Sequence, residues 1–316
     1  MTRTAPGRFP LTLASDFGSP YPAAMKGVVR RRSDAEILDV DHDLPRGDPL
    51  AAAFWLRFVL PEFPPAVHCA VVDPGVGTDR AALAVRAGAH AIVAPDNGLA
   101  LPPARALAAA GGNGDGETEE DGRDDGDVDV YRIDGFDPAS STFHGRDVFA
   151  PAAADLRETI VDELDGSDAS TVTARTVRRT LDDADWLDRT DDYVDVEIPE
   201  PTIRKGEEGD GAATDTDLDV EPVAIEGEVV VEGEVVVVDD FGNAITNVPG
   251  EYVRGRERVS VNGESVPIGE TFADVPVGDR LVTVGSHGYV ECDVNDGRGS
   301  EAFGLSPRDA VAFEFE

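Results

Sequence analysis

Three polar side chains in this sequence have the types and settings to activate a water molecule. Asp73 follows the apolar pair Val71-Val72 and opens the turn Asp73-Pro74-Gly75-Val76-Gly77-Thr78-Asp79-Arg80, which Arg80 closes. His144 lies in a second turn, Ser141-Thr142-Phe143-His144-Gly145-Arg146-Asp147. An acid, a guanidinium and an imidazole can orient a water, take its proton and hold the hydroxide beside a fixed positive charge. The expectation is that Asp73, Arg80 and His144 meet. Singly, each has a plainer role. Asp73 can cap its own turn, Arg80 can sit in a surface ion pair, and Arg146 with Asp147 can pair near a helix start. The set, with each member on a glycine turn beside apolar structure, favours chemistry.

Other chemistries are less well supplied. Ser140 and Ser141 adjoin His144 but lack the pattern of a nucleophile elbow. Asp39, Asp41, His42 and Asp43 offer ligand atoms, yet no second histidine stands at ligand spacing, so a solvated loop is the better reading and no metal is expected. There is no phosphate-binding loop, and Gly75-Val76-Gly77 is a poor dinucleotide fingerprint. No cofactor is expected. Asp16 follows an apolar run in the way strand-end carboxylates do where they accept both hydroxyls of a ribose. Asn243 joins donor and acceptor on one amide and suits an adenine edge. Phe241 offers a stacking face, with core packing as the competing role.

These residues need elements to position them. Phe9–Ala14, Glu36–Val40 and Val67–Asp73 read as strands, and 23–32, 49–60 and 99–110 as helices. Ala81–Val85 and Ala89–Ala94 are short apolar runs, and Pro95-Asp96-Asn97-Gly98 is a turn. This alternation predicts an α/β domain over 1–192, a mostly parallel sheet with helices on both faces. Residues 111–127 are mostly glycine and acid with no apolar side chain, which predicts a solvated insertion. From Tyr193 the character changes. Valine-rich runs at 193–198, 227–231, 234–238, 259–261, 281–284, 289–294 and 310–315, spaced by glycine turns, predict a C-terminal all-β domain over 193–316, a sandwich or small barrel. A second acidic insertion spans 206–221.

Composition narrows the partners. Of 316 residues, 27 are basic and 64 acidic, a formal net charge of -37. Such a surface repels nucleic acid and anionic lipid, so neither is expected as a partner. Lys26 and Lys205 are the only lysines. An acid-rich, lysine-poor surface suits a salt-rich cytosol, where screening tolerates self-repulsion; a halophilic source is expected. Cys69, in the apolar run Val67–Val72, and Cys292, in a predicted strand, read as buried thiols rather than a disulfide framework. No apolar run reaches membrane-spanning length, and residues 1–6 lack a signal-peptide core. A soluble cytoplasmic protein is expected.

With these stretches assembled, the chain resembles the SAM hydroxide adenosyltransferase family, the hydrolytic relatives of bacterial fluorinase and chlorinase. The matching pieces are Ser15-Asp16-Phe17-Gly18, Met25-Lys26-Gly27-Val28, Val71–Arg80, Pro95-Asp96-Asn97-Gly98-Leu99, Thr142–Asp147 with Phe149-Ala150-Pro151, and Asp240-Phe241-Gly242-Asn243 with Thr246-Asn247. A weaker match runs from Ser286 through Tyr289 and Glu291 to Asn295. The resemblance implies hydrolysis of S-adenosyl-L-methionine (SAM) to adenosine and methionine by water attack at the ribose C5′. It implies a homotrimer with active sites between subunits. It places the water-activating set on Asp73, Arg80 and His144, the ribose on Asp16, and adenine beside Asn243 and Phe241. The methionine end falls to Asp239 or Asp240 with Ser286. The chain departs from the pattern at Ser19-Pro20-Tyr21-Pro22, where family members often carry another acid, and at His287, an arginine in the halogenating relatives. A SAM-dependent chlorinase and a non-catalytic adenosine- or SAM-binding protein are the alternatives.

Overall fold

The computed structural model describes residues 9–111, 128–164, 172–205 and 229–315. Of the two acidic insertions only Gly111 falls within them. The chain divides into two compact units, Met1–Glu197 and Ile198–Glu316.

The first unit is α/β. Its elements run β1 (Leu11–Ser15), α1 (Tyr21–Arg32), β2 (Ile37–Asp41), α2 (Pro49–Val59), β3 (Val67–Val71), β4 (Ala82–Ala87), β5 (His90–Pro95), α3 (Leu101–Gly111), β6 (Val128–Ile133), α4 (Ala150–Asp162), α5 (Ala174–Asp183) and β7 (Leu187–Arg189). They form one seven-stranded sheet in the order β2-β1-β3-β5-β4-β6-β7. Strands β2, β1, β3 and β5 are parallel; β5, β4, β6 and β7 pair antiparallel. The sheet is therefore mixed. The link between β4 and β5 is Gly88-Ala89, with Gly88 at φ +55, and two residues make a hairpin where a parallel crossover needs a dozen or more.

Alternation along the buried strands feeds two cores. Leu11 and Leu13 of β1 and Val67, Cys69 and Val71 of β3 face α1, α4 and α5. Ala14, Ala70 and Val72 face α2 and α3. Such two-sided burial explains why these strands read as continuous apolar runs. It also pushes the Cys69 thiol up to about 12, as expected of a buried hydrophobe. Asp48 caps α2 by accepting from Ala51 N at 3.0 Å, with Pro49 in the first turn.

The second unit is a nearly closed antiparallel barrel. Its strands are β8 (Thr202–Lys205), β9 (Val229–Val238), β10 (Ala244–Pro249), β11 (Arg258–Val261), β12 (Glu264–Pro267), β13 (Arg280–Val284), β14 (Tyr289–Val294) and β15 (Ala310–Phe315), with the short helix α6 (Gly299–Phe303) before β15. The order is β12-β11-β15-β9-β10-β14-β13, with β8 beside β9, and a bridge from Ile268 to Val282 brings the two ends together.

Two strand expectations are corrected here. Residues 193–198 form no strand: Val194 N donates to the Asp96 side chain at 2.7 Å, and 193–197 lie as an irregular strap of the first unit. The runs around 229–231 and 234–238 are one strand, because Gly233 does not turn. A Cβ there would sit 2.4 Å from Asn247 Oδ1, and that oxygen instead accepts from Glu234 N at 2.8 Å. Among the described residues no helix is long and apolar enough to cross a membrane.

Candidate active site

The first unit places two sequence-predicted residues, Asp16 and Asp73, at the carboxyl ends of β1 and β3, neighbours in register with Ser15 opposite Val71. That edge is where ligands bind in parallel α/β sheets. Past Val72 the chain turns, and Asp73 Oδ1 accepts from Gly75 N at 3.2 Å and from Arg80 Nη1 at 2.5 Å. The Asp73 side chain is 5% exposed, Arg80 27%. A Cβ on Gly75 would lie 2.5 Å from the Arg80 guanidinium, so this glycine leaves room for the ion pair. The turn is braced from behind by Asn97, whose Nδ2 donates to Val72 O at 2.8 Å. The Pro95–Gly98 turn thus supports the site without entering it.

Gly77, at φ +85, joins this turn to the second one. A Cβ there would lie 2.6 Å from Ser141 O. His144 then stands at the start of a π-helical turn, Gly145–Phe149, that leads into α4. Single π turns in helices commonly mark functional positions. Gly145 admits the Phe17 ring, since a Cβ would lie 2.6 Å from it. Arg146 and Asp147 form a bidentate pair at 2.6 and 2.9 Å, and this guanidinium holds the Asp147 carboxyl below its ordinary value. Asp147 also accepts from Ser140 N at 2.9 Å, so this pair shapes the loop.

Asp73 and His144 line one cavity of about 40 Å³, together with Phe17, Val71, Val76, Thr142, Phe143 and Gly145. Arg80 does not line it; it stands behind Asp73 through their ion pair. Asp16 is buried beside the cavity, and its Oδ2 accepts from Gly47 N at 2.8 Å. Phe17, Val76 and Thr142 also join these walls; they lie in the matching motif stretches but were not singled out as site residues.

The second unit carries the remaining candidates around a wider cavity of about 730 Å³. Between β9 and β10 the chain makes a tight turn. Asp239 accepts from Asn243 N at 2.8 Å and from Asn243 Nδ2 at 3.1 Å, which aims the amide. Gly242, at φ +90, closes the turn and lets Arg298 pack across it. Asp239, Phe241, Asn243 and Ser286 all line the cavity, and Phe241 is 79% exposed. Asp240 is not in the lining; its carbonyl accepts from Arg298 Nη1 at 3.2 Å. His287 is absent from the lining too, with Nε2 2.8 Å from Glu291 Oε1 and Nδ1 accepting from Tyr289 N.

Glu291, Thr283 and Arg298 line this cavity without having been singled out as binding residues. Below Glu291, Asp293 is fully buried and accepts from Thr283 Oγ1. Burial, reinforced by the nearby Glu291 and Asp239 charges, raises its carboxyl well above the usual range despite that hydrogen bond. Among the described residues, no group of three or more His, Cys, Asp or Glu side chains could hold a metal ion.

This chain matches the model of the SAM hydroxide adenosyltransferase N-terminal domain over residues 11–164, and that of the C-terminal domain over residues 233–312. It is similar to an (R)-S-adenosyl-L-methionine hydrolase of Thermus thermophilus, 35% identical over 307 residues, covering 94% of this chain and 96% of the relative. A protein of the same name from Salinispora tropica is 33% identical over 307 residues, covering 95% and 96%. The solved structure of an uncharacterised conserved protein from Thermotoga maritima matches with a TM-score of 0.63 at 26% identity, over 96% of this chain and 99% of its own. With both domain models matched in order and full-length relatives above 30% identity, the chain belongs to the SAM hydroxide adenosyltransferase family.

Proposed function

We propose that this protein hydrolyses SAM to adenosine and L-methionine by attack of water at the ribose C5′. The observation that carries the mechanism is the cavity of about 40 Å³ walled by Asp73 and His144. It has room for a water and none for a nucleoside. Asp73 Oδ1 is fixed by Arg80 and Gly75, which leaves Oδ2 to accept from the attacking water. His144, on the same cavity, takes the proton and passes it to solvent. Arg80 supplies the fixed positive charge behind the forming hydroxide. The apolar walls, Phe17, Val71, Val76 and Phe143, strip the water of competing partners.

As the oxygen bonds to C5′, the C5′–S bond breaks and its electrons pass to sulfur. The sulfonium becomes a neutral thioether, so methionine leaves without a general acid. One water is consumed and one proton released. Asp16 takes the ribose hydroxyls, Asn243 and Phe241 the adenine, and Asp239 with Ser286 the methionine end. The relatives' name specifies the (R) form while L already fixes the amino-acid carbon, so the prefix refers to the sulfonium. We extend that preference to this chain. Following the family resemblance, the working form is a homotrimer whose active sites draw on both units from neighbouring subunits, and the acidic surface suits a salt-rich cytoplasm.

The test is incubation of the pure protein with separated (R) and (S) sulfonium epimers in concentrated salt and ¹⁸O-water. Mass spectrometry should find adenosine labelled at the 5′ oxygen, unlabelled methionine, and faster turnover of the (R) epimer. Label in methionine, or no adenosine from either epimer, would overturn the proposal.

A further inference from the structure

The side chains behind Asp16 form a connected chain that the water-activating site does not use. Ser15 Oγ lies 2.8 Å from His42 Nδ1, His42 Nε2 lies 3.0 Å from Asp39 Oδ1, and Lys26 Nζ lies 2.5 Å from Asp39 Oδ2. Where the spacing of Asp39, Asp41, His42 and Asp43 suggested a solvated loop, the structure has a hydrogen-bonded brace. Partial burial pushes the Asp39 carboxyl up, but Lys26 and His42 outweigh it and hold it below its ordinary value. An ionised Asp39 only accepts, so His42 donates to it from Nε2, and in the neutral ring Nδ1 then accepts from the Ser15 hydroxyl. The composition is that of a serine hydrolase triad, but Ser15 is fully buried and engages the imidazole from inside the sheet. It presents no nucleophile.

The backbone around His42 encloses the Asp16 turn. Gly18 N donates to His42 O at 2.9 Å, and Leu44 N donates to Ser15 O at 3.2 Å. Gly47 N donates to Asp16 Oδ2 at 2.8 Å. The segment from His42 to Gly47 thus grips the Asp16 turn on both sides, and the His42 ring links that grip to Lys26 on α1 and Asp39 on β2. Side chains that hold a ligand group work only when their own supports are fixed.

We infer that His42 is a positioning residue, which with Ser15 and Asp39 aims the Asp16 carboxylate at the ribose hydroxyls. The inference rests on the reading of Asp16 as the ribose ligand. Loss of the ring frees the 42–47 segment, the Gly47 N–H withdraws, and Asp16 samples other rotamers. The defect falls on ribose recognition and leaves water activation at Asp73 and His144 in place.

The experiment measures dissociation constants for adenosine and 2′-deoxyadenosine by calorimetry on the full-length protein, with kcat and KM for SAM alongside. The wild type should prefer adenosine by about 30-fold, the scale of a hydrogen bond to a charged group. Asp16→Ala should abolish that preference. His42→Ala and Ser15→Ala should each cut it about fivefold or more and raise KM, with kcat within about threefold. Their double mutant should be no worse than either alone. Asp39→Asn should show a smaller loss, about twofold. If His42→Ala does not fold, Ser15→Ala and Asp39→Asn carry the same test. A wild-type preference in the His42 and Ser15 variants, with the preference lost in Asp16→Ala, overturns the inference alone. A preference that survives in Asp16→Ala overturns the ribose reading and the inference with it.

Discussion

The cavity beside Asp73 measures about 40 Å³ and the one beside Asp239 about 730 Å³. The first is walled by apolar side chains around a carboxylate already bonded to Arg80 and Gly75. The second carries a phenylalanine 79% exposed and a lining rich in carboxylates. A small cavity with fixed polar groups suits a step in which a water must be aimed, since no reorganisation is left for the moment of reaction. A wide cavity with an aromatic face and a pre-aimed amide suits recognition of a larger, cationic ligand. On the proposed function the two regions divide the work, and their variants should then fail differently.

The largest expected effect is on the small cavity. His144→Ala should lower kcat about 10³-fold while adenosine affinity stays within about twofold, read by steady-state kinetics and calorimetry. Asn243→Ala should do the reverse. It strips the amide aimed by Asp239, and KM should rise about 30-fold with kcat changed by less than about threefold. Equal losses in kcat and KM from both variants would erase the division.

Gly75→Ala sharpens the account of the small cavity. Its methyl would meet the Arg80 guanidinium at 2.5 Å and displace it from Asp73. We expect kcat about tenfold lower and KM unchanged, with the thermal midpoint lowered by only a few degrees, roughly. A normal kcat would show that the Asp73–Arg80 pair is not part of water activation.

The smallest effect concerns the wide cavity and is one of stability. Asp293 titrates well above its ordinary value in the folded protein. Between the ordinary carboxylate range and that raised value, the folded state binds more protons than the unfolded state. Stability therefore falls as pH rises through this window and stays low above it. Asp293→Asn keeps a hydrogen-bonding side chain and removes the charge. Melting at about pH 5 and about pH 9 should show a smaller loss at high pH than in the wild type. An unchanged loss would assign the slope to other groups.

Much of this was legible in the sequence, and the reasons are local. Asp73, Gly75, Gly77 and Arg80 lie within one turn, so spacing alone suggested a shared point. The Asp239–Asn243 turn was equally visible, because a polar pentapeptide closes a strand of valines. What was not legible depends on side chains far apart in the chain. Arg298 reaches the wide cavity by crossing Gly242, a contact no local pattern announces. Glu291 and Asp293 read as strand residues, and only the barrel shows one in the cavity and the other beneath it. Which of Asp239 and Asp240 lines the wide cavity was not legible either: Asp239 does, bonded to Asn243, and Asp240 does not. Gly233 looked like a turn because nothing nearby shows that Asn247 needs its space.

The most direct test of the central claim is the rate of Asp73→Asn on (R)-SAM. The substitution retains an oxygen to accept from Gly75 N and nearly the same volume, but it removes the charge that pairs with Arg80 and accepts from the water. If water is activated at this cavity, kcat falls about 10³-fold while adenosine binds as in the wild type. A kcat within about threefold of the wild type, in a folded protein with normal adenosine affinity, contradicts it.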